Sequence, residues 1–123
     1  MNETDETNEI HETNVLERRT PMIHVIATIE VTPGKREQLL AEFHRIVPLV
    51  RAETGCIEYG PAIDVPVTLA IPTPVRDDVL VVIEKWESVD ALRAHSTARH
   101  MQEYRVRAKD LVVRVQLQVL QPA

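Results

Sequence analysis

The chain has few of the residues that sulfur- and glycine-dependent sites require. It holds one cysteine and three glycines in 123 residues. The lone Cys56 cannot form an intrachain disulfide and gives no support for secretion; such a residue is more often a small buried hydrophobe than a nucleophile. No glycine-rich phosphate loop, HExxH, CxxC or GxSxG pattern occurs. These absences argue against nucleotide, zinc and acyl-transfer chemistry.

Long apolar runs and excess positive charge are also missing. No run approaches the ~18 apolar residues of a membrane span. The net charge of −5 falls mostly on residues 1–21, which hold six acidic residues against Arg18 and Arg19. The remainder is nearly neutral and has no basic stripe, which argues against nucleic-acid binding. The start of the chain lacks the basic and apolar regions of a signal peptide, so we expect a cytoplasmic protein.

The distribution of polar residues predicts one domain behind a tail. Residues 1–20 are acidic and rich in Thr, Asn and Glu, a composition that indicates a flexible tail. Residues 21–123 carry enough hydrophobic residues for one domain with its own core. That core must be aliphatic, because the chain has only four aromatic residues: Phe43, Tyr59, Trp86 and Tyr104.

Alternation and helical spacing predict the secondary structure. Residues 22–31 alternate as a strand, after which Thr32-Pro33-Gly34 supplies an N-cap and a Pro suited to the first helical turn. The helix that follows ends near Glu53, with Gly55 as its terminator. Residues 56–64 indicate a second strand with Ile57 and Tyr59 on one face; Gly60-Pro61 suits an edge or a bulge. Residues 79–87 form a central strand, Ser88 caps a helix in two segments, and 111–120 alternate with Val113, Val115 and Leu117 inward.

This order is β-α-β-β-α-β, the ferredoxin-like antiparallel sheet with two helices on one face, an α+β fold. The other sheet face keeps an apolar patch that a second copy would most simply cover: Ile26, Val81, Ile83, Val112 and Leu120. The connection 66–78 holds three prolines and apolar side chains. We expect it to close the pocket as a lid or to reach over a subunit interface.

The stretch LVVIEKWESVDALRAHSTARH, residues 80–100, is the centre of the predicted site. Glu84 and Trp86 share one strand face, and Leu92 and His95 share one helical stripe. A helix folded over that face would leave a small cavity between Trp86 and His95. His44 and His100 are interpreted as solvated helix positions.

Three pieces of sequence resemble the antibiotic biosynthesis monooxygenase superfamily. They are MIHVIATIEVTPGKREQLLAEF, RAETGCIEY and VIEKWESVDALRAHSTARHM, in that order between residues 22 and 120. The resemblance implies a homodimer whose two sheets face each other as an α+β barrel, with a pocket in each subunit. It also implies monooxygenase chemistry on quinol- or anthrone-type aromatics and molecular oxygen, with no metal or flavin cofactor.

Candidate site residues follow from this resemblance and from side-chain chemistry. His95 is the candidate base, because histidine has a reference pKa of about 6.5 and can take a proton from a hydroxylated aromatic. The candidate substrate-binding residues are Trp86 as a stacking wall, Glu84, Tyr59 and Tyr104. Each has a structural alternative: His95 bonded to a backbone carbonyl, Trp86 and the tyrosines as packing, and Glu84 paired with Arg93, Arg99 or Arg114.

Two other functions stay open from the sequence. One is a non-catalytic dimeric barrel that binds a small molecule or acts in stress responses, because a fold does not fix a function. The other is haem binding or degradation, with His95 as axial ligand. The haem-degrading branch has an Asn on the first strand where this chain has Ala27, which makes haem chemistry the weaker interpretation.

Overall fold

The computed structural model describes residues 21–123, so the acidic tail predicted over 1–20 lies outside the described residues. Four strands and three helices follow in the order β1 (Ile23–Val31), α1 (Arg36–Arg51), β2 (Cys56–Ala62), β3 (Val79–Trp86), α2 (Val89–Ser96), α3 (Arg99–Ala108) and β4 (Val112–Leu120). The strands pair antiparallel in the order β2-β3-β1-β4. The predicted ferredoxin-like α+β fold is confirmed. None of the helices described is long and apolar enough to cross a membrane.

The alternation in β1 sorts its side chains as predicted. Five residues face the helices and are buried: Ile23, Val25, Ala27, Ile29 and Val31. Leu80 and Val82 of β3 join them, together with the apolar stripe of α1. Trp86 is fully buried at the end of β3. One aliphatic core thus lies between the sheet and the helices.

The start of α1 differs from the prediction. The helix begins at Arg36, and Lys35 holds the cap position without a side-chain bond. Thr32 instead donates its hydroxyl to the Asp110 carbonyl at 3.1 Å, while Gly34 turns the chain at φ +80°. Thr32 is therefore not the cap, because its side chain ties the turn to the start of β4. Ser88 does cap α2 as predicted, accepting from Ala91 N at 3.1 Å.

The edge strands contain irregularities that a strict alternation cannot place. β2 is an edge strand as predicted, but its register shifts between Cys56 and Glu58 rather than at Gly60-Pro61. Ile57 is therefore exposed while Tyr59 is buried, and the predicted common face for these two residues is wrong.

The register of β4 shifts in the same way. The shift lies where β4 passes Glu30 and Val31 of β1. Val112 packs against the core and Val113 is 62% exposed, the reverse of the prediction for both. Val112 accordingly leaves the predicted outer patch, because the bulge turns it to the helix side.

The Pro-rich connection between β2 and β3 does not cover the pocket. Its apolar side chains Val67, Leu69, Ile71 and Val75 are exposed, and no residue of the connection lines the cleft that opens between the sheet and the helices α2 and α3. The base of the loop is fixed by Arg76, whose guanidinium donates to both carboxylate oxygens of Asp64 at 2.7 and 2.9 Å. The predicted lid is wrong for this chain, and a reach across a subunit interface stays a prediction.

Candidate functional site

A cleft of about 490 Å³ opens between the helix-facing side of the sheet and α2 and α3. Its walls are mostly apolar: Ala27, Ile29, Phe43, Val82, Leu92, Met101, Ala108, Val112, Val115 and Leu117. Val115 and Leu117 stay half-exposed, because the helices leave this face of β4 uncovered. The cleft therefore has the size and lining of a site for a small apolar or aromatic molecule.

The inner end of this cleft, the end nearest to Trp86, carries several polar groups, and Ser96, Arg105 and Lys109 line the cleft as well. Tyr59 and Glu84 are direct partners across β2 and β3, and His95 reaches the same end from α2. The Tyr59 and His95 rings meet edge to face with centroids 5.5 Å apart. Tyr104 lines the cleft from α3 and packs on Phe43 at 4.8 Å. Four of the five predicted site residues thus border one cleft.

The fifth, Trp86, lies behind the cleft wall. Its ring packs against His95 with centroids 4.7 Å apart, and it is fully buried and absent from the cleft lining. The cavity predicted between Trp86 and His95 is therefore filled by the two rings in contact. The open space lies beside His95, next to Tyr59 and Glu84. In this arrangement Trp86 supports His95 and does not form the expected stacking wall.

Glu84 is a buried acid whose partner is its own strand neighbour. Trp86 Nε1 donates to Glu84 Oε1 at 2.9 Å. The predicted arginine pairing is wrong, because Arg93, Arg99 and Arg114 bind Asp90, Glu103 and Glu30 instead. Burial raises the pKa of the Glu84 carboxyl, and the charge of Glu53 acts in the same direction, while the Trp86 bond and His95 oppose this shift.

The two cleft tyrosines are held in the protonated form. Burial raises the pKa of Tyr59 well above its usual value, and neighbouring Glu84 adds to this effect. Burial also raises the pKa of Tyr104. Both phenols therefore keep their protons at neutral pH and can donate a hydrogen bond to an oxygen in the cleft.

His95 is oriented by Glu53, a residue outside the predicted site. Its Nδ1 lies 3.0 Å from Glu53 Oε2, and His100 Nε2 lies 2.5 Å from the same oxygen. His100 is thus not the solvated position predicted, whereas His44 is exposed as predicted. Nε2 of His95 has no hydrogen-bond partner within residues 21–123. The only sequence signal for Glu53 was its place in the RAETGC segment.

The fold and the cleft together define the kind of site that this protein carries. A ferredoxin-like sheet carries an apolar cleft whose inner end offers one imidazole, one buried carboxyl and two phenols. No cluster of three or more potential metal ligands occurs in the part of the chain that the structure describes. Such a site suits binding and proton transfer on a small hydroxylated, mainly apolar molecule.

Comparison with known proteins identifies the family. Residues 22–107 match the family model for antibiotic biosynthesis monooxygenase. The protein named "Probable quinol monooxygenase YgiN" from Escherichia coli is 37% identical over 103 residues, covering 82% of this chain and 98% of that protein. The chain belongs to the antibiotic biosynthesis monooxygenase family, and its activity is that of a monooxygenase, an oxidoreductase.

Solved structures agree with this family assignment. The crystal structure of PA3566 from Pseudomonas aeruginosa has a TM-score of 0.69 at 26% identity, covering 85% of this chain and 96% of that one. Rv0793 from Mycobacterium tuberculosis has a TM-score of 0.68 at 28% identity, covering 83% and 95%. Both likenesses cover more than four fifths of this chain and nearly the whole of the solved structure.

Proposed function

We propose that this protein is a cofactor-independent monooxygenase that oxidises a small hydroxylated aromatic, of quinol or anthrone type, with molecular oxygen. The observation that carries the proposal is His95, which lines an apolar cleft while its Nδ1 is bound to a carboxylate. A carboxylate only accepts hydrogen bonds, so the neutral ring carries its proton on Nδ1. Nε2 is then the basic atom available to a substrate hydroxyl.

The reaction follows from electron transfer by an ionised substrate. His95 Nε2 takes the hydroxyl proton, and the electron pair of the broken O–H bond stays on the substrate oxygen. The electron-rich ring then reduces O2: a carbon–oxygen bond forms, the O–O bond breaks, and the second oxygen atom leaves as water. For a quinol, substrate plus O2 gives a hydroxyquinone plus water, so the substrate itself supplies all four electrons that O2 accepts.

The neighbouring side chains position this chemistry. Tyr59 donates a hydrogen bond to the substrate oxygen, and Glu84 fixes that end of the cleft through its bond from Trp86. The Trp86 ring holds His95 from behind. Tyr104 and the aliphatic walls enclose the ring system of the substrate. Exclusion of water from such a cleft strengthens the polar contacts at its inner end.

Oxygen uptake on a panel of quinols tests the activity. Wild type is expected to consume oxygen, and His95→Ala is expected to lose about 10²-fold or more of the rate, the scale of a general base. His44→Ala is the matched control, because His44 is an exposed histidine on α1. An unchanged rate in His95→Ala would rule out the mechanism. Binding of quinols without oxygen uptake by wild type would favour the non-catalytic alternative.

We propose that the protein works as a cytoplasmic homodimer whose outer sheet faces meet. Support comes from the outer face, where Ile83 is 47% exposed beside Ile26 and Val81. Sedimentation at equal concentration tests the assembly: Ile83→Asp should shift the protein to monomers. Val106→Asp places the same charge at an exposed valine on α3 and should leave the dimer intact. A dimer that survives Ile83→Asp contradicts the proposed interface.

A further inference from the structure

The turn between α1 and β2 places one carboxylate against two imidazoles. The Glu53 side chain is 12% exposed, the His95 side chain 7% and the His100 side chain 22%. Both rings meet the same oxygen, Oε2, at 3.0 and 2.5 Å. His95 borders the cleft, whereas His100 is the most exposed of the three. The cluster therefore extends from the cleft towards solvent.

The backbone of the turn fixes the carboxylate relative to His95. Gly55 has φ +85°, and a Cβ at this position would lie 2.6 Å from the Ala91 Cβ. Ala91 precedes His95 by four residues on α2, so the two side chains share one face of the helix. Glu87 N also donates to Gly55 O at 2.9 Å. The turn is thus docked directly on the helix that carries His95.

We infer that Glu53 is a positioning residue for His95, and that His100 anchors Glu53 from the solvent side. This inference rests on the proposed function, in which His95 Nε2 accepts the substrate proton. Because an ionised carboxylate only accepts, each histidine donates an N–H to it. His95 is thereby kept in the Nδ1–H tautomer with its ring plane fixed, and Nε2 faces the cleft as an acceptor.

His100 completes this arrangement in two ways. Its Nε2–H gives the Glu53 carboxylate a second donor, which offsets the cost of holding the charge away from water. It also removes the freedom of the carboxylate to rotate away from His95. The imidazolium that forms on His95 during the reaction then lies beside a fixed negative charge, which stabilises it.

Nitrogen-15 NMR of the histidine rings tests the positioning directly in the full-length protein. The His95 signals are assigned by their loss in His95→Gln, and wild type is expected to show the Nδ1–H tautomer. Glu53→Ala should give a mixture of tautomers, and kcat should fall about tenfold or more with little change in KM. Glu103→Ala, an exposed Glu on α3, is the matched control and should keep the wild-type spectrum and kcat.

A pair of substitutions separates anchoring by His100 from simple packing. His100→Gln keeps an N–H donor and should stay within about threefold of wild-type kcat. His100→Leu fills similar space without a donor. It should lower kcat by most of the factor by which Glu53→Ala lowers it. If Leu and Gln behave alike, His100 does not anchor Glu53. Circular dichroism on each variant confirms that it is folded.

The outcomes distinguish this inference from the proposed function. The spectrum does not depend on turnover, so a pure Nδ1–H tautomer in folded Glu53→Ala would overturn the positioning role even if wild type is active. If His95→Ala is inactive while Glu53→Ala keeps wild-type kcat, the inference also fails and the proposed function stands. Retained activity in His95→Ala, with a tautomer that depends on Glu53, would overturn the function alone.

Discussion

Replacement of Gly55 by alanine should be among the more damaging small changes in this protein. Two separate costs arise. A left-handed φ of +85° costs a non-glycine residue about 1–2 kcal/mol. The new Cβ would also lie 2.6 Å from the Ala91 Cβ, which is an atom on a helix and cannot move aside as a flexible chain end could. Overpacking of this kind typically costs about 1–3 kcal/mol.

Gly34 provides the matched control. It has nearly the same φ, +80°, but nothing lies within 4 Å of the position that a Cβ would occupy. Alanine also restricts the unfolded chain and regains about 0.4–1 kcal/mol. Gly34→Ala should therefore cost about 1 kcal/mol, and Gly55→Ala roughly 2–4 kcal/mol. For a domain of this size, the second value lowers Tm by roughly 10–20 °C.

Ala91→Gly isolates the steric part of the cost. Alone it should cost about 1 kcal/mol, because it places a glycine inside α2. Combined with Gly55→Ala it removes the overlapping atom, and the neighbours then nearest, Ala91 Cα and Glu87 Cβ, lie at 3.9 Å. The double variant should be about 1–3 kcal/mol more stable than the sum of the single effects predicts.

Urea unfolding at one protein concentration measures all four variants, with midpoint and slope compared between them. Equal losses of unfolding free energy in Gly55→Ala and Gly34→Ala would refute the docking of the turn on α2. Additive effects of Gly55→Ala and Ala91→Gly in the double variant would refute it as well. The same samples report on the site. If the contact positions Glu53, quinol oxidation should fall in Gly55→Ala and recover in part in the double variant.

Two further predictions concern titratable groups. Burial raises the pKa of Glu84, so ionisation of this side chain opposes folding. The contribution of protonated Glu84 to the free energy of unfolding is fully present below its pKa in the unfolded chain, near 4.5. That contribution is lost as the pH rises through the higher pKa of the folded protein. Glu84→Gln keeps an acceptor for Trp86 and should raise Tm more at pH 8 than at pH 4, which thermal unfolding at both pH values measures; an equal gain at both contradicts the burial argument. The Arg76 side chain lowers the pKa of Asp64 to about 2. The ion pair between Arg76 and Asp64 should therefore persist above the ordinary pKa of 3.8 and weaken as the pH falls towards 2. Asp64→Asn should accordingly speed proteolysis within residues 65–75 at neutral pH, and wild-type cleavage rates in that variant would show that the ion pair does not fix the loop.

The strands could be predicted from local patterns because each depends on alternation over a few residues, whereas the cavity expected between Trp86 and His95 is closed by the contact of the two rings. The five buried side chains of β1 follow from its period of two, while Tyr59, Glu84 and His95 follow from the family resemblance and from their side-chain chemistry. The bulge in β4 could not be predicted in this way. A single extra residue opposite Glu30 and Val31 exchanges Val112 and Val113 between faces, and alternating sequence gives no sign of it.

The partner of Glu84 was missed for a related reason. An acid on a central strand was expected to need a distant arginine, because a buried charge is costly without a partner. The indole N–H two residues later lies on the same strand face and satisfies it instead, 2.9 Å away. Sequence patterns that look for opposite charges overlook a neutral donor at this spacing.

The position of Glu53 could not be predicted from the sequence, because it depends on two distant segments meeting in the fold. The ETG and ALRAH segments are far apart in sequence, and neither one alone shows that Glu53 meets His95. In the fold, Gly55 allows the turn to approach Ala91 closely, and that contact brings Glu53 to His95. A glycine at 55 and a small residue at 91 are thus requirements of the same site as the histidine. The two segments therefore act together to orient the His95 imidazole, one through Glu53 and Gly55 and the other through Ala91 and His95 itself.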